Sequence, residues 1–171
     1  MIKYLKYNGG KLRKLFVFIM IILTIYFVFS CNIIKAKVLV IEDRENNEKL
    51  EFNLPNYCFS LGYIHSVMKT PVEEFFYINE NNQIVLEKIS YESYGVGTPF
   101  LEEEGELEII GDKFILKVNR VFSDINMIIS PIPNHWLLIE DKKYEFNDVL
   151  KPNSKIKIYI DEIYKLESFL N

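Results

Sequence analysis

Both histidines of the chain lie in short polar stretches that interrupt apolar runs. The first stretch is Tyr63-Ile64-His65-Ser66-Val67-Met68-Lys69-Thr70-Pro71-Val72-Glu73-Glu74. The second is Tyr91-Glu92-Ser93-Tyr94-Gly95-Val96-Gly97-Thr98-Pro99, and the third is Pro133-Asn134-His135-Trp136-Leu137. A carboxylate beside an imidazole raises its pKa and holds it in one tautomer. A hairpin with its strands on either side of Pro71 is expected to bring Glu74 near His65 across its mouth, with His135 facing the same mouth. Ser66, Thr70 and Asn134 add hydrogen-bonding groups, and Lys69 adds one positive charge. Gly95 and Gly97 allow positive φ or close backbone approach, so their loop can offer N–H groups to a carboxylate. Together these groups describe a small polar pocket for an organic anion. A plainer reading is that His65 and Asn134-His135 satisfy backbone groups at turns, as polar residues at strand ends commonly do.

No complete catalytic constellation accompanies them. The His-x-x-x-His and Cys-x-x-Cys spacings of zinc sites are absent, and Ser66 is not framed by a Gly-x-Ser-x-Gly elbow. Glu102-Glu103-Glu104 lacks the alternating oxygen ligands and turn glycine of a calcium loop. The chain is therefore expected not to be an enzyme and to need no cofactor. The alternative is an envelope enzyme or metal-binding protein in which His65, Glu74 and His135 converge.

In this order the three stretches resemble the family called domain of unknown function 1850. Its pattern is an apolar run, His-Ser-Val-x-Lys-Thr-Pro-Val-x-Glu, a Gly-x-Gly-x-Pro turn, then Asn-His-x-Leu. The matching positions are His65, Ser66, Lys69, Thr70, Pro71, Glu74, Gly95, Gly97, Pro99, Asn134 and His135. The resemblance covers about residues 37–160. It implies a small membrane-associated protein encoded beside TAXI-type tripartite (TRAP) transporters. The partner would be the permease or the solute-binding subunit, or the solute itself bound transiently. No activity comes with the resemblance.

The elements that must position these residues follow from the patterning. Of 171 residues, 49% are hydrophobic and 26% charged, enough apolar chain for a core and too much for a disordered acidic tail. Short apolar runs with turn residues every 8–12 positions predict an all-β, antiparallel sandwich or barrel-like domain of about ten short strands. Expected strands include Lys37–Asp43, Tyr57–His65, Glu74–Ile78, Ile84–Tyr91, Lys113–Val118, Trp136–Glu140, Lys143–Phe146 and Lys155–Ile160. Ile163, Leu166 and Leu170 fall at helical spacing, so Ile160–Phe169 is read as a short terminal helix. Cys58, inside the run YCFSLGYI, is read as a small buried hydrophobe.

The charge is uneven. Residues 1–34 carry Lys3, Lys6, Lys11, Arg13 and Lys14 and no acid, leaving 15 bases against 24 acids in the rest. A net charge of −4 and a pI near 5.3 argue against nucleic-acid binding. A basic start followed by Leu15–Phe29, with Thr24 its only polar residue, is a membrane-targeting pattern. The expected organisation is a basic cytoplasmic segment at 1–14, a membrane anchor or signal segment at 15–34, and an extracytoplasmic all-β domain at 35–171. A single-pass span leads, with its N-terminus held inside by the cations. Two other readings stay open: a lipoprotein whose Val28-Phe29-Ser30-Cys31 places the lipid on Cys31, and a buried core helix.

Overall fold

The computed structural model describes residues 9–93 and 105–168, with the side chains of residues 9, 27–34 and 166–168 left outside that description. The chain divides into two compact units, one of residues 1–36 with 164–171 and the other Lys37–Ile163.

The first unit holds helix α1 (Gly9–Ser30), which at 22 residues is about 33 Å long, given a rise of about 1.5 Å per residue. Its described apolar side chains are exposed on every side, from Leu12 to Tyr26. The Thr24 hydroxyl turns back onto the helix, to the carbonyls of Met20 (2.8 Å) and Ile21 (2.9 Å). Among the described residues no helix is long and apolar enough to cross a membrane.

The second unit is built from two antiparallel sheets. Eleven strands run in chain order: β1 (Cys31–Asp43), β2 (Lys49–Asn53), β3 (Cys58–Ile64), β4 (Pro71–Ile78), β5 (Ile84–Tyr91), β6 (Glu106–Ile110), β7 (Lys113–Phe122), β8 (Ile125–Ile128), β9 (Trp136–Ile139), β10 (Lys142–Glu145) and β11 (Lys155–Ser168). One sheet has the order β2-β1-β11-β8, the other β10-β9-β3-β4-β5-β7-β6. Neither closes on itself, so the barrel alternative gives way to two open sheets.

Period-two patterning explains which faces meet. Phe59, Leu61 and Tyr63 of β3 alternate with Cys58, Ser60 and Gly62, and Ile156 and Ile158 of β11 alternate with Lys155 and Lys157. The inward residues of both sheets form one core, including Leu39, Ile41, Phe59, Leu61, Val72, Phe76, Leu116, Leu137, Ile156 and Ile158. The β6–β7 hairpin turns on Gly111-Asp112, with Gly111 at φ 61°, the left-handed first position that a two-residue type II′ turn gives to glycine.

Three expectations are corrected. The terminal helix is absent as far as Ser168, because Ile160 and the residues after it continue β11. Only a single turn of helix, α2 (Phe146–Val149), follows β10, and it claims Phe146 from the expected strand. Cys58 is an exposed free thiol at the first position of β3, ahead of the buried residues 59–62.

Among the described residues, Gly62 is the one strand glycine whose lack of a side chain is required. It pairs with Trp136 of β9, and a Cβ there would stand 2.1 Å from Trp136 Cε2. A glycine inside a strand often marks such a close approach. Lys143 Nζ lies over the indole, 4.1 Å from its ring centroid, and pairs with Glu145 at 2.6 Å. The substitution Gly62→Ala is expected to cost about 1–3 kcal/mol of stability, the usual range for overpacking. The single tryptophan reports it: the urea midpoint should fall and the Trp136 emission should shift, and an unchanged midpoint would contradict this packing.

Candidate functional site

The β3–β4 turn is organised by His65, which is 6% exposed. Its backbone N–H donates to Thr70 O (2.9 Å) and its carbonyl accepts from Lys69 N–H (2.9 Å). Its Nδ1 accepts from the backbone N–H groups of Met68 (3.1 Å) and Val67 (3.3 Å). An acceptor nitrogen carries no proton, so these two bonds specify the tautomer with hydrogen on Nε2. Lys69 closes the turn at φ 57° and Pro71 opens β4 opposite Ile64. The motif residues between His65 and Thr70 are thereby a four-residue hairpin loop, with Ser66, Val67, Met68 and Lys69 exposed.

The loop after β8 docks beside it. Ile64 N–H donates to Pro133 O at 2.5 Å, one bond beyond the β3–β9 ladder. This puts the His135 ring 6.0 Å from the Tyr63 ring, tilted by 48°. Asn134, at φ 45°, accepts from Asn147 Nδ2 of α2 (3.0 Å), and Phe146 N–H donates to His135 O (2.9 Å). Burial pushes the His135 pKa down, against a hydrogen bond to the Ser130 backbone that raises it. Its Nδ1 is buried without a partner.

Glu74 sits elsewhere than the hairpin-mouth reading requires. β4 begins at Pro71 rather than at Glu74, and the register pairs Glu74 with Leu61. Leu61 is four residues before His65, about 13 Å along the strand at about 3.3 Å per residue. Glu74 shares the core-facing side with Val72 and Phe76. Burial raises its pKa, and Arg120 partly offsets this. It lies diagonally across from Tyr63, whose hydroxyl is pushed up by burial and then by the Glu74 charge. Its neighbour Glu73 points to the other face, where Ser60 Oγ donates to it at 2.5 Å.

The first and third motif stretches therefore meet at one end of the seven-stranded sheet. What gathers there is a row: the His65 turn, Tyr63, His135 and, one register step inward, Glu74. Gly95 and Gly97 lie outside the described residues. Ser93, two residues before Gly95, bonds Thr70 Oγ1 at 2.8 Å at this same end. Cys31 is the first residue of β1, and its side chain is outside the description. No cluster of three metal-ligating side chains occurs among the described residues. Tyr63, Arg120 and the Ser60–Glu73 pair were not singled out by motif reading. Gly62, a glycine in an apolar strand, was the available signal for Trp136, whereas nothing local marks Arg120.

The family described as Domain of unknown function (DUF1850) matches residues 59–146, from the second residue of β3 to the first of α2. That span holds every strand of the seven-stranded sheet and both motif histidines. No curated protein and no solved structure matches the chain.

Two substitutions test this geometry. His65→Ala strips the acceptor from two turn amides and is expected to cost about 1–2 kcal/mol, as loss of a cap does, read as a lower urea midpoint. An unchanged midpoint would remove His65 from the turn. For Glu74, a raised native pKa means that stability falls as pH rises through the unfolded carboxyl value of 4.5 and levels off once the native carboxyl has ionised. Glu74→Gln should then unfold at higher urea than wild type at pH 7, with the gap closing near pH 4. A variant less stable than wild type at pH 7 would reverse the sign.

Proposed function

This chain belongs to the DUF1850 family, and from that premise we propose that it is a membrane-tethered accessory protein. Its β unit stands outside the membrane and works as a binding module without catalysis of its own. Its partners are the permease or solute-binding subunit of a TAXI-type TRAP transporter, to which the sequence resemblance points. The anchor is the segment around Leu15–Phe29, behind five cations and no acid. The length of α1, about 33 Å, compares with about 30 Å of hydrocarbon, although no described helix is both long and apolar enough to cross.

One observation carries the binding reading. The two motif stretches that fold together occupy the end of the β unit away from where the chain joins it. At the joining end, Lys37 Nζ donates to Asn79 O (3.1 Å), Asn82 Nδ2 donates to Glu162 (2.9 Å), and β3 and β4 pair at Cys58 and Tyr77. At the other end lie Ile64, Pro71, the His65 turn and Pro133. Val67 and Ile132, both at least 70% exposed, stand at that far end beside the exposed Lys69. A tether at one end and exposed motif turns at the other suit a surface offered to a partner. The register that separates Glu74 from His65 is why this reading stands ahead of a metal centre or acid–base site built from His65, Glu74 and His135.

Affinity purification of the tagged full chain from detergent-solubilised membranes is expected to bring down a transporter subunit. A Val67→Glu, Ile132→Glu variant should lose that subunit while keeping its unfolding midpoint. Purification without any subunit, together with unchanged solute uptake in a deletion strain, would overturn the proposal.

A further inference from the structure

On the face of the seven-stranded sheet turned away from the core, β3 carries only small residues. Cys58, Ser60 and Gly62 alternate there with the core-facing Phe59, Leu61 and Tyr63. The register sets larger side chains on either side of them. Ser60 pairs with Leu138 of β9 and with Phe75 of β4, and Phe75 pairs in turn with Lys88 of β5. The result is a trough of about 200 Å³. Cys58 and Ser60 form its floor, Leu138 and Glu140 one wall, and Phe75 and Lys88 the other. At Gly62 the trough stops, because the Trp136 indole occupies the place a Cβ would take. Ser60 is 3% exposed and its hydroxyl is committed to Glu73. A register shift between Leu86 and Lys88 adds Glu87 to the lining, as bulges do when they re-aim a side chain.

Opposite charges stand on opposite walls. Lys88 Nζ lies over the Phe75 ring, 4.9 Å from its centroid. Glu140 receives a hydrogen bond from Asn56 Nδ2 at 3.0 Å. Neither Lys88 nor Glu140 forms an ion pair with any described residue.

We propose that this trough seats one small zwitterion, an amino acid with an aliphatic side chain. Its carboxylate meets Lys88, its ammonium meets Glu140, and its side chain lies against Phe75 and Leu138. From β4 to β9 is two strand spacings, about 10 Å, which an amino acid fills with a charge-assisted hydrogen bond of about 2.8 Å at each end. A plain anion would face two carboxylates, Glu87 and Glu140, and a plain amine would face Lys88. The volume, below the roughly 300–1,000 Å³ of pockets for drug-sized ligands, suits a molecule of this size. The trough is separate from the motif turns, and the inference does not depend on the transporter reading.

The exposed thiol of Cys58 on the floor reports occupancy. The full chain in neutral detergent is treated with N-ethylmaleimide, and alkylation of the Cys58 peptide is followed by mass spectrometry, apart from that of Cys31. Leucine at about ten times its Kd is expected to slow this alkylation about ten-fold. Isocaproate and isoamylamine, which keep the leucine skeleton but lack one charge each, should leave the rate unchanged at the same concentration. Lys88→Met and Glu140→Gln should each lose the protection while keeping the urea midpoint. A rate that leucine does not slow up to its solubility limit, equal slowing by all three compounds, or undiminished protection in either variant would overturn the zwitterion seat.

Discussion

At the far end of the seven-stranded sheet, the arrangement depends on a single acceptor atom. Nδ1 of the buried His65 ring takes the N–H groups of Val67 and Met68, two donors that a four-residue loop cannot pair by itself. With the loop held, Lys69 takes its left-handed conformation and Pro71 stands opposite Ile64. That pairing sets the register of β3 against β4 down to Cys58 and Tyr77. A slip of one residue would turn Val72, Phe76 and Ile78 away from the core. The same strand end carries Ile64, whose N–H reaches Pro133 and so decides where the third motif stretch docks. The histidine that reads most readily as a catalyst is thus committed to turn geometry through one ring nitrogen.

The sheets are unequal, seven strands against four. Polar groups occur on the core-facing side of the larger one, where Glu74 and Tyr63 sit diagonally on neighbouring strands. Burial favours the neutral form of each, and it favours neutral His135 as well. Such groups weaken a core that could have been apolar. The buried Asp43, 1% exposed, is paired instead: it accepts from Glu45 N–H (2.9 Å), Asn46 (3.0 Å) and Ser154 Oγ (2.9 Å). Asp43 joins the β1–β2 turn to the loop before β11, whereas His135 Nδ1, Asn82 Oδ1 and Glu145 Oε2 are buried without a partner.

Helix α1 is patterned differently. Its described side chains are exposed all round, and the Thr24 hydroxyl is turned inward onto the helix backbone. The strands of the β unit instead alternate between core and surface.

Strand existence was legible in the sequence because it rests on local patterning. Ile84–Tyr91 has the bounds read from the chain, and IKIYI shows its inward isoleucines at every second residue. Pro71 was legible as a residue of the turn between two strands, although it opens β4. The position of Glu74 was not legible, because it follows from which residue of β4 faces which residue of β3. The end of β11 was hidden as well, since the helical spacing of Ile163, Leu166 and Leu170 falls where the strand runs on to Ser168. Cys58 is exposed although the four residues after it in β3 are buried. The sequence by itself determined the strands and the types of residue available at the motif turns. Tertiary structure alone decided that His65 and His135 share one end while Glu74 lies inward of them. Register is a property of a pair of strands, written in neither strand alone.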